Sequence, residues 1–283
     1  MILAASLARA VGLGIAAPAV CAVAGILYFA GRSHRGPESE VHALVRLAHR
    51  IAVLAAVGAA VEAAAVARTL DAGWFDALTD RAPGALLRLL GAALVVAGLF
   101  ELPETRAGGA ADQLRWSPAG AGVLAVAGAV IGLLSFAFDG YTVTRGPRVV
   151  HALASVVHVA AVSVWAGGVI ALLAVWLFRR GSPARPLAPL VRGWLTTAVV
   201  AGAAAAAVGV LLTALIVDAA GDLTASTWGR VLIAKLAVAA VAAGITWAVR
   251  SGTGPRLGPL LGTAAIALGA VLVLTTVLVR AAA

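Results

Sequence analysis

Two histidines and a tryptophan recur at sevenfold spacing in the apolar stretch 149–178: His151, His158 and Trp165. At 3.6 residues per turn this spacing returns each side chain to nearly the same helix face, roughly 10.5 Å further along the axis. Ser155 falls on the same stripe. Imidazole binds copper, zinc and iron, carries protons, and hydrogen-bonds to neighbouring helices. Side chains two turns apart cannot chelate one ion alone, because neighbours on a helix lie three or four residues apart. Each ring therefore needs partners from other helices. Three roles stay open for the pair: metal or cofactor binding, structural hydrogen bonding, and proton relay.

The elements that must position these residues are membrane helices. The chain of 283 residues is 62% hydrophobic and 12% charged, with mean hydropathy +1.03. Eight apolar runs are long enough to cross a bilayer as helices, at about 8–30, 44–67, 84–102, 119–138, 149–178, 190–217, 230–250 and 257–279. Short connections leave no room for a soluble domain, so the expected architecture is all-α, one polytopic transmembrane domain over 1–283. Met1–Ala30 lacks a basic leading segment and carries Arg9 within its apolar run, which reads as a first membrane helix rather than a signal peptide. Cys21 is the single cysteine, so no disulfide closes within the chain. The net charge of +9 sits on arginines scattered between apolar runs. That pattern reads as a topology signal and not as a nucleic-acid surface.

With the N-terminus outside, the cytoplasmic segments carry twelve Lys/Arg and the outer segments eight, with Arg68, Arg81 and Arg88 among the latter. The sharpest local contrast is Arg179, Arg180, Arg185 and Arg192 around one loop against Asp218 and Asp222 in the next. Lys/Arg in short loops set orientation, which favours an N-out, C-out chain in the cytoplasmic membrane.

This orientation sorts the polar residues by depth. His151, His158, Glu62 and Lys235 fall in the outer half, and Asp139, Asp218 and Asp222 at its mouth. Glu62, within VGAAVEAAAVA, has no local partner. A lone intramembrane carboxylate must protonate or find a cation or an imidazole. Lys235 either snorkels to headgroups, five residues beyond Arg230, or pairs with Glu62 or an outer aspartate. His42 and His49, again seven apart, lie at the inner end beside Arg46 and Arg50 and read as an interfacial basic face or a release site. His34, in GRSHRGPESE, reads as solvated. Trp165 walls the histidine site or simply packs. Trp74, Trp116 and Trp228, near helix ends, read as interfacial belt residues.

Signatures of nucleotide hydrolysis, zinc proteolysis and serine hydrolysis are absent from the sequence, so no enzymatic activity is expected. Three stretches together resemble the bacterial copper resistance protein D (CopD/PcoD) family of inner-membrane proteins. They are DGYTVTRGPRVVHALASVVHVAAVSVWAGGV at 139–169, RGWLTTAVVAGAAAAAVGVLLTALIV at 192–217, and STWGRVLIAKLAVAAVAAGITWAVR at 226–250. Together they place a CopD-like core at about 139–250, which spans about 40% of the chain. His158 and Trp165, and Gly229, Arg230 and Lys235, match that family's pattern, with His151 less securely aligned. Tyr141 stands where the family usually has histidine, and Trp228 where it has tyrosine.

The resemblance implies copper handling across the cytoplasmic membrane, usually uptake, with a separate periplasmic CopC-like protein as donor. Met1 and Cys21 exclude a methionine or thiolate ladder, so a copper ion here relies on imidazole and carboxylate ligands. His151, His158 and Glu62 form the expected outer site, provided the second and fifth helices pack together. Trp165, Lys235 and Asp139 support it, and His42 and His49 are the cytoplasmic release site. Two rival readings remain. One is a bis-histidine haem electron carrier, built from two helices with a histidine pair each. The other is a non-transporting assembly or sensing subunit.

Overall fold

The computed structural model describes residues 2–70, 76, 78–79, 82–100, 105–107, 113–139, 147–180, 187–217, 221–249 and 256–281. Among these, eight helices of three turns or more follow the eight apolar runs. They are α1 (Ile2–Tyr28), α2 (Glu38–Leu70), α3 (Pro83–Gly98), α4 (Gly122–Leu134), α5 (Arg148–Arg179), α6 (Ala188–Ile216), α7 (Thr227–Val249) and α8 (Leu257–Ala281). A π turn, Phe29–Ser33, extends α1, and a 3-10 turn, Ser135–Phe138, extends α4.

Six of the eight (α1, α2, α5, α6, α7 and α8) are long and apolar enough to cross a membrane. The expectation of eight crossing helices is thus met for six, because α3 and α4 are shorter. At 1.5 Å per residue, the 16 residues of α3 extend only about 24 Å, less than the ~30 Å hydrocarbon core. Pro83 opens α3, where its missing N–H costs nothing. A two-stranded antiparallel hairpin, β1 (Thr105–Ala107) and β2 (Leu114–Trp116), is the one departure from an all-helical chain among the described residues.

α1 and α5 form the centre of the bundle. α1 packs extensively on both α2 and α5, while α2 and α5 touch only slightly. Gly25 and Gly167 make the α1–α5 crossing: a Cβ on Gly167 would lie 2.5 Å from the Gly25 Cα, so only glycine permits that approach. α3 packs on α4, α6 on α5, and α7 on α8. The outward faces of α6 and α7 are apolar and exposed, as lipid-facing surfaces are, with Val199, Val200, Val210, Leu236 and Val241 among them. The bundle is a multi-pass membrane fold and the bilayer is its solvent.

Two ends can be told apart. The α1–α2 connection, the C-terminus of α5 and the hairpin share one, tied by paired Gly36 and Leu114 N–H···O bonds of 2.8 and 3.1 Å. Glu62, the start of α3, the 3-10 turn and the start of α5 mark the other. They are named below the Glu40 end and the Glu62 end.

Candidate functional site

The lone carboxylate of Glu62 has found a cation. Arg88, one and a half turns into α3, donates its Nε to Glu62 Oε2 at 3.0 Å and its Nη2 to Glu62 Oε1 at 2.7 Å. The same guanidinium reaches Asp139, Nη2 to Oδ1 at 3.2 Å and Nη1 to Oδ2, and its Nη1 also donates to Ser135 Oγ at 3.4 Å. All five N–H groups are used. Glu62 and Arg88 are 2% and 1% exposed, and the Phe136 ring lies 5.9 Å from the guanidinium carbon. Gly84, one turn before Arg88, makes this possible: a Cβ there would sit 2.6 Å from Asp139 Oδ1. Two carboxylates around one guanidinium give the cluster a formal charge of −1.

This places Glu62 away from the other residues of the expected outer site. The sequence expectation joins Glu62 to His151 and His158 provided the second and fifth helices pack together. They barely meet, because α1 packs between them, and the Glu62 carboxylate is occupied on both oxygens by Arg88. Arg88, counted as a loop charge in the topology argument, is a buried residue of α3. Its signal was available: an arginine five residues beyond a helix-opening proline, in an apolar run, needs a carboxylate partner.

The histidine stripe behaves unevenly. His151 is 1% exposed, and neither ring nitrogen has a hydrogen-bond partner. His158 bonds through Nδ1 to the Ala205 carbonyl of α6 at 2.8 Å. A carbonyl only accepts, so Nδ1 carries the proton, and in the neutral ring Nε2 keeps its lone pair. His158 therefore serves as helix contact on one side and remains ligand-competent on the other. It lines a cavity of about 20 Å³, room for roughly one water, together with Cys21, Asp139, Pro18, Thr275 and Thr276. Pro18 lacks an N–H, so the Gly14 carbonyl one turn earlier loses its helical donor beside this space.

Trp165 lies outside the cavity lining; its indole N–H donates to Thr246 Oγ1 of α7 at 3.3 Å, the packing alternative. Lys235 is partly exposed, has no hydrogen bond or ion pair among the described residues, and stands within electrostatic reach of His158 and Cys21. Among the described residues, no three His, Cys, Asp or Glu side chains gather closely enough to hold one metal ion.

The Glu40 end holds a second ionic cluster that the sequence reading passed over. Arg179, at the end of α5, forks Glu40 with Nε to Oε1 and Nη2 to Oε2, both at 2.8 Å. His34, expected to be solvated, is 0% exposed, and its Nε2 stands 3.5 Å from Glu40 Oε2. That distance is too long for a hydrogen bond. Burial lowers the His34 imidazole to a pKa of about 4, against the opposing pull of Glu40. Phe29 lies against the ring, with centroids 6.1 Å apart. Trp116, expected in the interfacial belt, is buried in the core beside the same connection. His42 pairs loosely with Glu38 one turn earlier, at 3.6 Å, and His49 has a buried, unbonded Nε2. Trp74, Tyr141 and Asp218 lie outside the described residues, as does the Asp222 side chain.

No protein-family model, curated protein or solved structure matches the chain.

Proposed function

We propose that this chain carries copper across the cytoplasmic membrane without ATP hydrolysis, taking the ion in at the Glu62 end as the outer face of an N-out, C-out bundle. One observation carries the reading. His158 donates Nδ1–H to a backbone carbonyl and keeps the Nε2 lone pair, and it lines a small cavity together with Cys21 and Asp139. Metal-binding histidines are commonly oriented in this way, by donating their second nitrogen to a carbonyl. Imidazole is a donor that copper accepts in either oxidation state. The resemblance of 139–169, 192–217 and 226–250 to the CopD family supports the same cargo, and with it a separate CopC-like donor outside.

The roles of the ligands change from the sequence expectation. His158 replaces Glu62 as the first contact, with Cys21 on the same cavity, while Asp139, whose two oxygens both accept from Arg88, contributes charge rather than a free ligand. Glu62 and Arg88 act as positioning residues that hold Asp139, and the excess negative charge of the triad attracts a cation to the cavity. His151, buried with two unbonded nitrogens, lies two turns nearer the outer end of α5 and is the earlier contact on the same stripe. Because no three donor side chains gather around one point among the described residues, the contacts form a relay, which lets an ion leave as readily as it arrives.

The test is cellular copper accumulation with wild type, His158→Ala and Trp247→Ala, an exposed lipid-face control. Uptake by wild type and by the control, reduced several-fold in His158→Ala, is the expected result. Equal uptake by all three removes His158 from the path, and no uptake by wild type removes the function.

A further inference from the structure

The connection between α1 and α2 holds the least satisfied polar side chain of the Glu40 end. His34 is fully buried, and neither of its ring nitrogens has a hydrogen-bond partner. A buried unpaired polar group is costly, and its persistence calls for a ligand or a mechanical role. Nε2 faces the Glu40 carboxylate across 3.5 Å. Gly36 borders the same gap: a Cβ there would lie 2.6 Å from Glu40 Oε2 and 2.8 Å from His34 Nε2. A side chain at residue 36 would collide with both of these atoms.

We propose that His34 and Glu40 form a cation site for a borderline first-row ion such as Cu²⁺ or Zn²⁺, and that an ion bound there takes Glu40 from Arg179. The spacing suits such an ion: metal–nitrogen and metal–oxygen bonds of about 2.0–2.1 Å across this gap meet at an angle of roughly 115°, close to tetrahedral. Neutral imidazole with carboxylate is a donor pair that these ions accept. Oε2, the oxygen facing His34, also accepts from Arg179 Nη2 at 2.8 Å. A cation on Oε2 and a guanidinium on the same oxygen repel each other, so binding weakens the fork.

The fork joins the start of α2 to the last turn of α5. Ion arrival and release of that joint are then one event, a cation-operated latch. Arg179 and the neighbouring Arg35 oppose any cation here, which keeps occupancy brief. The connection itself is held by the Gly36–Leu114 bonds to the hairpin and by Phe29 against the ring, so the α5 end is the part that moves. The latch replaces His42 and His49 as the release point in the copper reading. It rests on that reading only for its direction, since the site and its linkage to Arg179 stand on local geometry.

The experiment uses the purified full-length chain in detergent and Zn²⁺, which is redox-silent, in competition with a chelating dye. The variants are His34→Ala, Gly36→Ala and His42→Ala. Wild type and His42→Ala are expected to bind one equivalent more than His34→Ala and Gly36→Ala. Amide exchange over residues 176–180 is expected to rise on Zn²⁺ addition in wild type and to be unresponsive in His34→Ala. Unchanged stoichiometry in His34→Ala overturns the site. A lost equivalent with no exchange response in wild type overturns the latch. If His34→Ala does not elute as a folded species, Gly36→Ala, which keeps both ligands and fills the gap, decides the stoichiometry. Copper accumulation measured in parallel separates the two ideas: wild type without uptake ends the transport reading and leaves the Zn²⁺ result intact.

Discussion

Each end of the bundle holds a glutamate forked by an arginine, and the surroundings give the two forks opposite characters. At the Glu62 end one guanidinium serves two carboxylates and a hydroxyl, with all five N–H groups used. At the Glu40 end one carboxylate faces a guanidinium and an imidazole whose nitrogens are unbonded. The first cluster carries excess negative charge and saturated donors, so it is rigid and attracts cations. The second has a carboxylate oxygen shared between two cationic or metal-binding groups, so its partner can be exchanged. The same residue pair thus fixes geometry at one end and offers a switch at the other.

That contrast can be broken experimentally, most severely at Arg88. Arg88→Met leaves a buried carboxylate, Glu62, and a half-buried one, Asp139, without a cation and is expected to cost about 3–5 kcal/mol, as removal of one partner of a buried ion pair does. The temperature at which detergent-solubilised protein loses its helical signal reports it, and a loss below ~1 kcal/mol would show that the triad is not saturated as described. A double-mutant cycle of Glu40→Ala and Arg179→Ala should return a coupling of about 1–3 kcal/mol, since the pair is bidentate but Arg179 keeps some solvent contact. Coupling equal to that at Glu62–Arg88 would erase the distinction between rigid and exchangeable forks.

Gly84→Ala sharpens the first cluster. The added methyl displaces Asp139 from Arg88, with an expected cost of about 1–2 kcal/mol, much less than Arg88→Met because Glu62 stays paired. The smallest effect is expected at His42→Ala, where a partly exposed i,i+4 contact to Glu38 contributes under ~0.5 kcal/mol. A thermal midpoint lowered as much as by Gly84→Ala would show that His42 belongs to the Glu40 cluster.

Much of the scaffold was readable from residue patterns. All eight apolar runs became helices, though the first two begin six residues earlier than expected, because hydropathy and length govern whether a segment can bury its backbone in lipid. The polar residues were less readable. Glu62 stood out as a carboxylate needing a partner, yet the nearest imidazoles on paper were not its neighbours, since α1 packs between α2 and α5. Arg88 hid among loop arginines because the run 84–102 placed it at a helix end, and Pro83 actually starts the helix five residues earlier.

His34 shows the limit most clearly. Its segment is polar and rich in Gly and Pro, the composition of a solvated connection. It is buried because Leu114 pairs with Gly36 and because Arg179, 139 residues from Glu40, closes over the connection. The amino-acid order determined which segments form long apolar helices and which side chains are expensive to bury in them, because both depend on local transfer free energies. Which buried charge meets which was decided by tertiary packing, at the Gly25–Gly167 crossing that sets α1 between α2 and α5 and at the gaps left by Gly84 and Gly36. Ion pairing acts over a few ångströms, and only the assembled helices bring groups that close.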